Sequence, residues 1–256
     1  MAPPRALREQ NRAAVSALRE QNRAAVSALR EQDRAAVSAL LIDIDGTLID
    51  SNEAHARAWA DILQAHGWPE ITWQQVQPLI GMGGDKLLPQ LTGVAAESSR
   101  GKQLSKERNE HFLAAYAPSI RAFPRVRELL EAVRERGIKR VVATSAGDAE
   151  LSTLLEIAGV GDLLTEETNK DDAQGKSKPD PNIIIAALEK ANARPEEAIM
   201  LGDTPYDVEA ASKAGVATIA VRCGGWGDEK LAGAIAVFAD PAELLERIRE
   251  TPLGGD

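Results

Sequence analysis

An apolar run, Ala39-Leu40-Leu41-Ile42, ends abruptly in Asp43-Ile44-Asp45-Gly46-Thr47-Leu48. This junction constrains the fold more than any other stretch of the chain. Consecutive apolar residues closed by a turn signal read as a strand buried on both faces, which belongs in a parallel sheet. Open α/β sheets bind ligands beyond the carboxyl ends of their strands. Two carboxylates at that point are costly to a core and useful to a site. Their spacing suits one as nucleophile or metal ligand and the other as general acid/base. An Asp-Gly turn after a strand is the plainer account of the same residues.

Beyond Phe123-Pro124, helix and strand signals alternate. The pattern predicts a helix over 125–136, a strand over 138–144, a helix over 149–158 and a short apolar Leu163-Leu164. A helix over 181–191, a strand over 198–201, a helix over 206–214 and a strand over 216–221 come next. A short Ala236-Val237-Phe238 and a helix after Asp240-Pro241 close the body. Repeated βα units imply an α/β fold with a doubly wound parallel sheet. Between Asn52 and Ala122 the signals are helical, starting at a Ser51-Asn52-Glu53 cap and interrupted at Gly67-Trp68-Pro69, Pro78 and Gly81-Met82-Gly83-Gly84. The expected organisation is therefore a core over 39–50 and 123–250, an inserted helical cap over 51–122 and a tail over 251–256.

Ahead of the core, ALREQNRAAVS at 6–16 recurs at 17–27, and again at 28–38 with Asp33 in place of Asn. These are mostly good helix formers, and an eleven-residue period permits a slightly right-handed supercoil. A helix of about 33 residues would extend roughly 50 Å. Its apolar stripe is thin, because Gln10 and Asn11 occupy seam positions. The 1–38 arm reads as a self-association or docking helix, a solvated arm, or a duplication without function.

Composition narrows the partners. Lys and Arg number 30 against 39 Asp and Glu, a net charge of −9, and the arm alone holds seven Arg against four acids. A body this acidic does not attract nucleic acid or anionic membrane over its whole surface. Cys223 is the only cysteine, so no intramolecular disulfide and no thiolate zinc cluster is available. No span of about 18 uncharged apolar residues and no signal-peptide core is present, and a cytoplasmic protein is expected.

Each strand end carries chemistry. The first offers Asp43 and Asp45, the second Thr144-Ser145, and the run at 198–201 leads into Gly202-Asp203-Thr204-Pro205-Tyr206-Asp207. Lys176-Ser177-Lys178-Pro179-Asp180-Pro181 precedes the 181–191 helix. Parallel strand ends share one edge, so these groups can meet across about 160 residues of chain. Together they supply acids for a divalent metal, a hydroxyl and N–H for phosphate oxygens, and a cation for developing charge. Those are the parts of phosphoryl transfer. Each also has a bland reading: Thr144-Ser145 as a helix cap, Lys178 as a solvated loop lysine, Asp203 and Asp207 as turn and helix-start acids.

In this order the motifs resemble the four signatures of the haloacid dehalogenase (HAD) superfamily, phosphatase branch with a helical cap, over 39–249. The resemblance implies a Rossmann-like core, Asp43 as nucleophile, Asp45 as general acid and base, and Lys178 neutralising the phosphoryl group. It further implies Gly46, Thr47, Thr144 and Ser145 around the phosphate, and Mg²⁺ held by Asp43, Asp203 and the Asp45 carbonyl, with Asp207 behind them. The implied activity is hydrolysis of a small phosphorylated metabolite through an aspartyl-phosphate.

The stretch from Asp50 to Trp59 also resembles the opening helix of β-phosphoglucomutase-like sugar phosphomutases, whose histidine, here His55, gates the acid; a packing histidine is the alternative. Such mutases carry an arginine in the cap loop, and Gly81-Met82-Gly83-Gly84-Asp85 has none. Hydrolysis is favoured on that ground. Lys86, the one lysine of the early cap, reads as solvated rather than as the Schiff-base lysine of phosphonate-cleaving relatives. Gly224-Gly225-Trp226-Gly227 is no nucleotide cradle and reads as a turn packed by an aromatic. A further alternative is an idle body whose N-terminal arm binds partners.

Overall fold

The computed structural model describes residues 36–168 and 172–255. The expected repeat arm, and any self-association through it, lies outside the described residues apart from its last three positions. Of these, Ser38 already joins the sheet, donating its N–H to Glu197 O at 2.8 Å and accepting from Lys139 N at 2.9 Å.

Six strands form one all-parallel sheet: β1 (Ala39–Ile42), β2 (Lys139–Ala143), β3 (Glu166–Thr168), β4 (Ala198–Gly202), β5 (Ala217–Val221) and β6 (Ala236–Phe238), in the spatial order β3-β2-β1-β4-β5-β6. This is the doubly wound order whose crevice lies between β1 and β4. All four β1 residues are inaccessible, and their alternation divides the core. Leu40 and Ile42 join one layer with Leu129, Leu130 and Val133 of α5 (Val126–Glu135), Leu151 and Leu154 of α6 (Asp148–Ala158), and Leu244 of α9 (Pro241–Glu246). Ala39 and Leu41 join the other with Ile183, Ile184 and Ala187 of α7 (Asn182–Ala191), and Ala210 and Ala211 of α8 (Pro205–Lys213).

One expectation is corrected. The third strand is not Leu163-Leu164: Gly161–Leu163 turn as a 3-10 helix, and the strand comes later, at Glu166–Thr168. As an edge strand with two exposed glutamates it lacks the apolar run that marks buried strands. Within residues 251–255, Leu253 is wholly buried in the first core layer.

Four α-helices lie between β1 and α5: α1 (Asn52–Ala65), the short α2 (Trp73–Val76), α3 (Gly84–Thr92) and α4 (Ser99–His111). They bury an apolar cluster of their own, with Trp59, Leu63, Ile80, Leu87, Leu88 and Leu104 at its centre. The chain leaves the sheet and returns to it along two paired segments. Asp50 N donates to Arg121 O at 3.0 Å and Phe123 N to Leu48 O at 2.9 Å. Among the described residues, no helix is long and apolar enough to cross a membrane.

Candidate active site

Parallel pairing sets Ile42 of β1 beside Leu201 of β4, so the residues just past the two strand ends meet. Thr47 Oγ1 stands between them, 3.2 Å from Asp43 Oδ2 and 3.1 Å from Asp203 Oδ1. A single hydroxyl proton cannot serve both carboxylates. Lys178 Nζ lies 2.5 Å from Asp43 Oδ1 and 2.7 Å from Asp207 Oδ1. Lys178 is 1 % exposed, so the solvated-lysine reading fails. Asp207 has two duties: besides that ion pair, its Oδ2 closes a capping box on α8, accepting from Thr204 N and Thr204 Oγ1.

The electrostatics of this cluster are out of balance. Asp43, Asp203 and Asp207 bring one carboxylate oxygen each to within 4.8 Å of one another, with one ammonium among them. Burial raises the Asp43 carboxyl to about 7; Lys178 opposes the rise, while Asp207 and Asp45 add to it. Burial, then the charges of Asp207 and Asp43, push Asp203 well above the ordinary carboxylate range. Burial would lower Lys178, but Asp207 and Asp43 outweigh it and raise the ammonium. Clustered hard oxygen donors short of positive charge suit a divalent cation such as Mg²⁺.

Asp45 turns away from that cluster. Its Oδ1 accepts the Ser51 hydroxyl at 2.5 Å and meets His55 Nε2 at 2.7 Å. Ser51 does not cap α1 as its sequence context suggests; its side chain makes no cap bond and is spent on Asp45. Burial disfavours the Asp45 carboxylate, yet His55, Ser51 and Arg108 outweigh burial and hold the acid below its ordinary range. His55 stacks on Phe112, centroids 4.0 Å apart, and its Nδ1 faces an Arg108 N–H. Arg108 in turn donates to Glu150 at 3.0 Å and lies over the Trp59 and Phe112 rings.

A cavity of about 190 Å³ opens onto Asp43, Asp45, His55, Thr144, Ser145 and Lys178 on one side and onto the 80–85 loop, Trp59 and Arg108 on the other. Thr144 Oγ1 accepts from Ala146 N at 3.1 Å, while Ser145 Oγ is buried without a partner among the described residues. Gly46 and Thr47 do not line this cavity. Their N–H groups go to Ile49 and Ile44 carbonyls, and the Thr47 hydroxyl faces the carboxylates instead of a phosphate subsite.

Three contributors escape sequence reading. Asn52 Nδ2 donates to Asp203 Oδ2 at 2.8 Å and to Gly224 O at 2.9 Å. Gly224 abuts Asp203 so closely that any Cβ would collide with its carboxyl. Arg108 lies on α4 among surface charges, and only its place shortly before an apolar stretch hints at burial.

The family model described as haloacid dehalogenase-like hydrolase matches residues 40–221. A phosphoglycolate phosphatase from Rhodospirillum rubrum is 30% identical over 226 residues, covering 85% of this chain and 93% of that protein. A solved hydrolase from Pseudomonas syringae superposes with a TM-score of 0.77 at 28% identity, covering 83% of this chain and 98% of its own. A β-phosphoglucomutase from Clostridium difficile shares the fold, with a TM-score of 0.72 at 20% identity over 84% of this chain and 97% of its own.

Proposed function

We propose, from the premise that this chain belongs to the haloacid dehalogenase-like hydrolase family, that it is a Mg²⁺-dependent phosphatase of a small phosphate monoester, working through an aspartyl-phosphate. The observation that carries this reading is the segregation of two carboxylates two residues apart. Asp43 sits in the metal-type cluster with Lys178, and Asp45 is held apart by Ser51 and His55.

In the proposed first half, Asp43 attacks phosphorus in line and the phosphorus–oxygen bond to the leaving alcohol breaks. The departing oxygen takes a proton from Asp45. Because Oδ1 of Asp45 holds Ser51 and His55, Oδ2 is the oxygen that carries that proton. Asp45 rests as the carboxylate, and an incoming phosphate dianion adds the negative charge that favours its protonation. In the second half, Asp45 accepts a proton from water, whose oxygen displaces the Asp43 carboxylate from phosphorus. Lys178 offsets charge on the reacting carboxylate, and Thr144 and Ser145 face the phosphoryl oxygens across the cavity. Asp43, Asp203 and the Asp45 carbonyl would hold Mg²⁺, with Asp207 supporting. The bound ion would neutralise phosphoryl oxygens. The helical segment would act as the cap that excludes water while the first half proceeds.

A cavity of about 190 Å³ is below the usual range for drug-sized ligands and suits a leaving group of a few carbons. The test is phosphate release from a panel of small phosphate esters, glucose 1-phosphate with bisphosphate activator included. Release lost both to EDTA and in Asp43→Asn supports the phosphatase. Isomerisation without release would instead favour a phosphomutase, and no turnover at all would sink the enzyme reading.

A further inference from the structure

Lys86 is not the solvated residue that its sequence context suggests. It lies in the first turn of α3, where its Nζ is 2.9 Å from Asp180 Oδ2 and also donates to the Ser177 carbonyl. The preceding residue, Asp85, accepts the Ser177 N–H through Oδ2 at 3.4 Å. Consecutive side chains of the helical segment thus grip both backbone polar groups of one core residue. That residue immediately precedes Lys178, whose ammonium is buried between Asp43 and Asp207.

The glycines beside this grip explain how the loop comes so close. A Cβ on Gly83 would collide with the Ser177 side chain, and one on Gly81 with Thr204, next to Asp203. Asp180 is held below the ordinary carboxylate range, chiefly by its hydrogen bond from Lys86. The ion pair is partly exposed, so its contribution to overall stability is small. Its consequence lies in geometry: misplacing a reacting group by about 1 Å can cost on the order of 100-fold in rate.

We propose that Lys86 is a positioning residue, which fastens the 81–86 loop to the Ser177–Asp180 loop and thereby sets Lys178 against Asp43. Lys86 touches no phosphate in this role. The kinetic part of its test rests on the phosphatase reading above; the exchange part does not.

The experiment compares the full chain with Lys86→Met, Asp180→Asn and the double variant. Backbone hydrogen exchange is measured without metal, and steady-state kinetics with Mg²⁺ and the best ester of the panel. In Lys86→Met, exchange across 81–86 and 176–180 should quicken together by about tenfold or more, with β1 and β4 unchanged as the control for folding. kcat should fall roughly 10- to 100-fold with KM within about threefold, the mark of a misplaced group rather than a lost substrate contact. Asp180→Asn should move both readouts the same way, and its effect should shrink in the Lys86→Met background. Unchanged exchange in both single variants overturns the proposal. So does a raised KM at constant kcat, which would make Lys86 a substrate ligand. If wild type turns over no ester, the phosphatase reading falls and the exchange result alone decides the role of Lys86.

Discussion

His55 Nε2 and the Ser51 hydroxyl converge on the same oxygen of Asp45, at 2.7 and 2.5 Å. Arg108 presents an N–H to His55 Nδ1, which orients the ring with Nε2 toward Asp45.

Replacing His55 with Ala removes the largest influence that lowers Asp45. The Asp45 carboxyl then rises, and its base form appears only at higher pH. The acidic limb of the kcat–pH profile should move to higher pH, and kcat should fall by about 10²-fold. A limb that stays in place would show that His55 does not tune Asp45.

Metal-free protein should gain stability as pH falls from about 8 to about 6. The folded Asp43 carboxyl sits near 7, above its ordinary value, so the native state binds a proton that the unfolded state lacks over that range. This contribution is fully present below the unfolded pKa and is lost as pH rises through about 7. Thermal melts in EDTA should show the slope for wild type and a weaker one for Asp43→Asn. Mg²⁺ at about 100 times its Kd should add about 2.7 kcal/mol at neutral pH.

Ser145 Oγ is buried and has no partner among the described residues, so Ser145→Ala breaks no hydrogen bond there. Urea unfolding should show stability within about 0.5 kcal/mol of wild type. Yet kcat/KM should drop roughly tenfold, because a hydrogen bond to a charged phosphoryl oxygen contributes about 1.5 kcal/mol or more. Equal losses of stability and activity would assign Ser145 to the scaffold.

Gly224→Ala should weaken Mg²⁺ binding about 10- to 100-fold, since the new methyl must displace the Asp203 carboxyl that Asn52 and Thr47 hold in place. Calorimetric titration with Mg²⁺ reads this directly. Undiminished affinity would remove Asp203 from the proposed ligand set.

The strands that bear chemistry are legible in the sequence because burial on both faces writes a continuous apolar run, as in β1 and β4. Pattern alone misplaces β3 because an edge strand needs no such run, and Glu166-Glu167-Thr168 carries none. Asp43, Asp203 and Lys178 can be gathered from topology alone, since parallel strand ends share an edge. Asn52, Gly224, Arg108 and Lys86 cannot. Their partners lie 151 residues away for Asn52–Asp203, 42 for Arg108–Glu150 and 94 for Lys86–Asp180, across contacts that no local period encodes. Gly224 looks like a turn glycine, whereas the constraint on it is the space taken by Asp203.

The two segments that carry the chain out of the sheet and back are hydrogen-bonded to each other, Asp50 to Arg121 and Phe123 to Leu48. Exit and return therefore lie at one address, and the helices between them enclose an apolar centre of their own. The segment between them is nonetheless tied to the sheet and its carboxylates, because Ser51 and His55 hold Asp45, Asn52 holds Asp203, and Phe112 and Ile120 complete the first core layer. A change of helices at this address therefore carries the setting of Asp45 with it, so what enters the cavity and how the acid is poised pass on together.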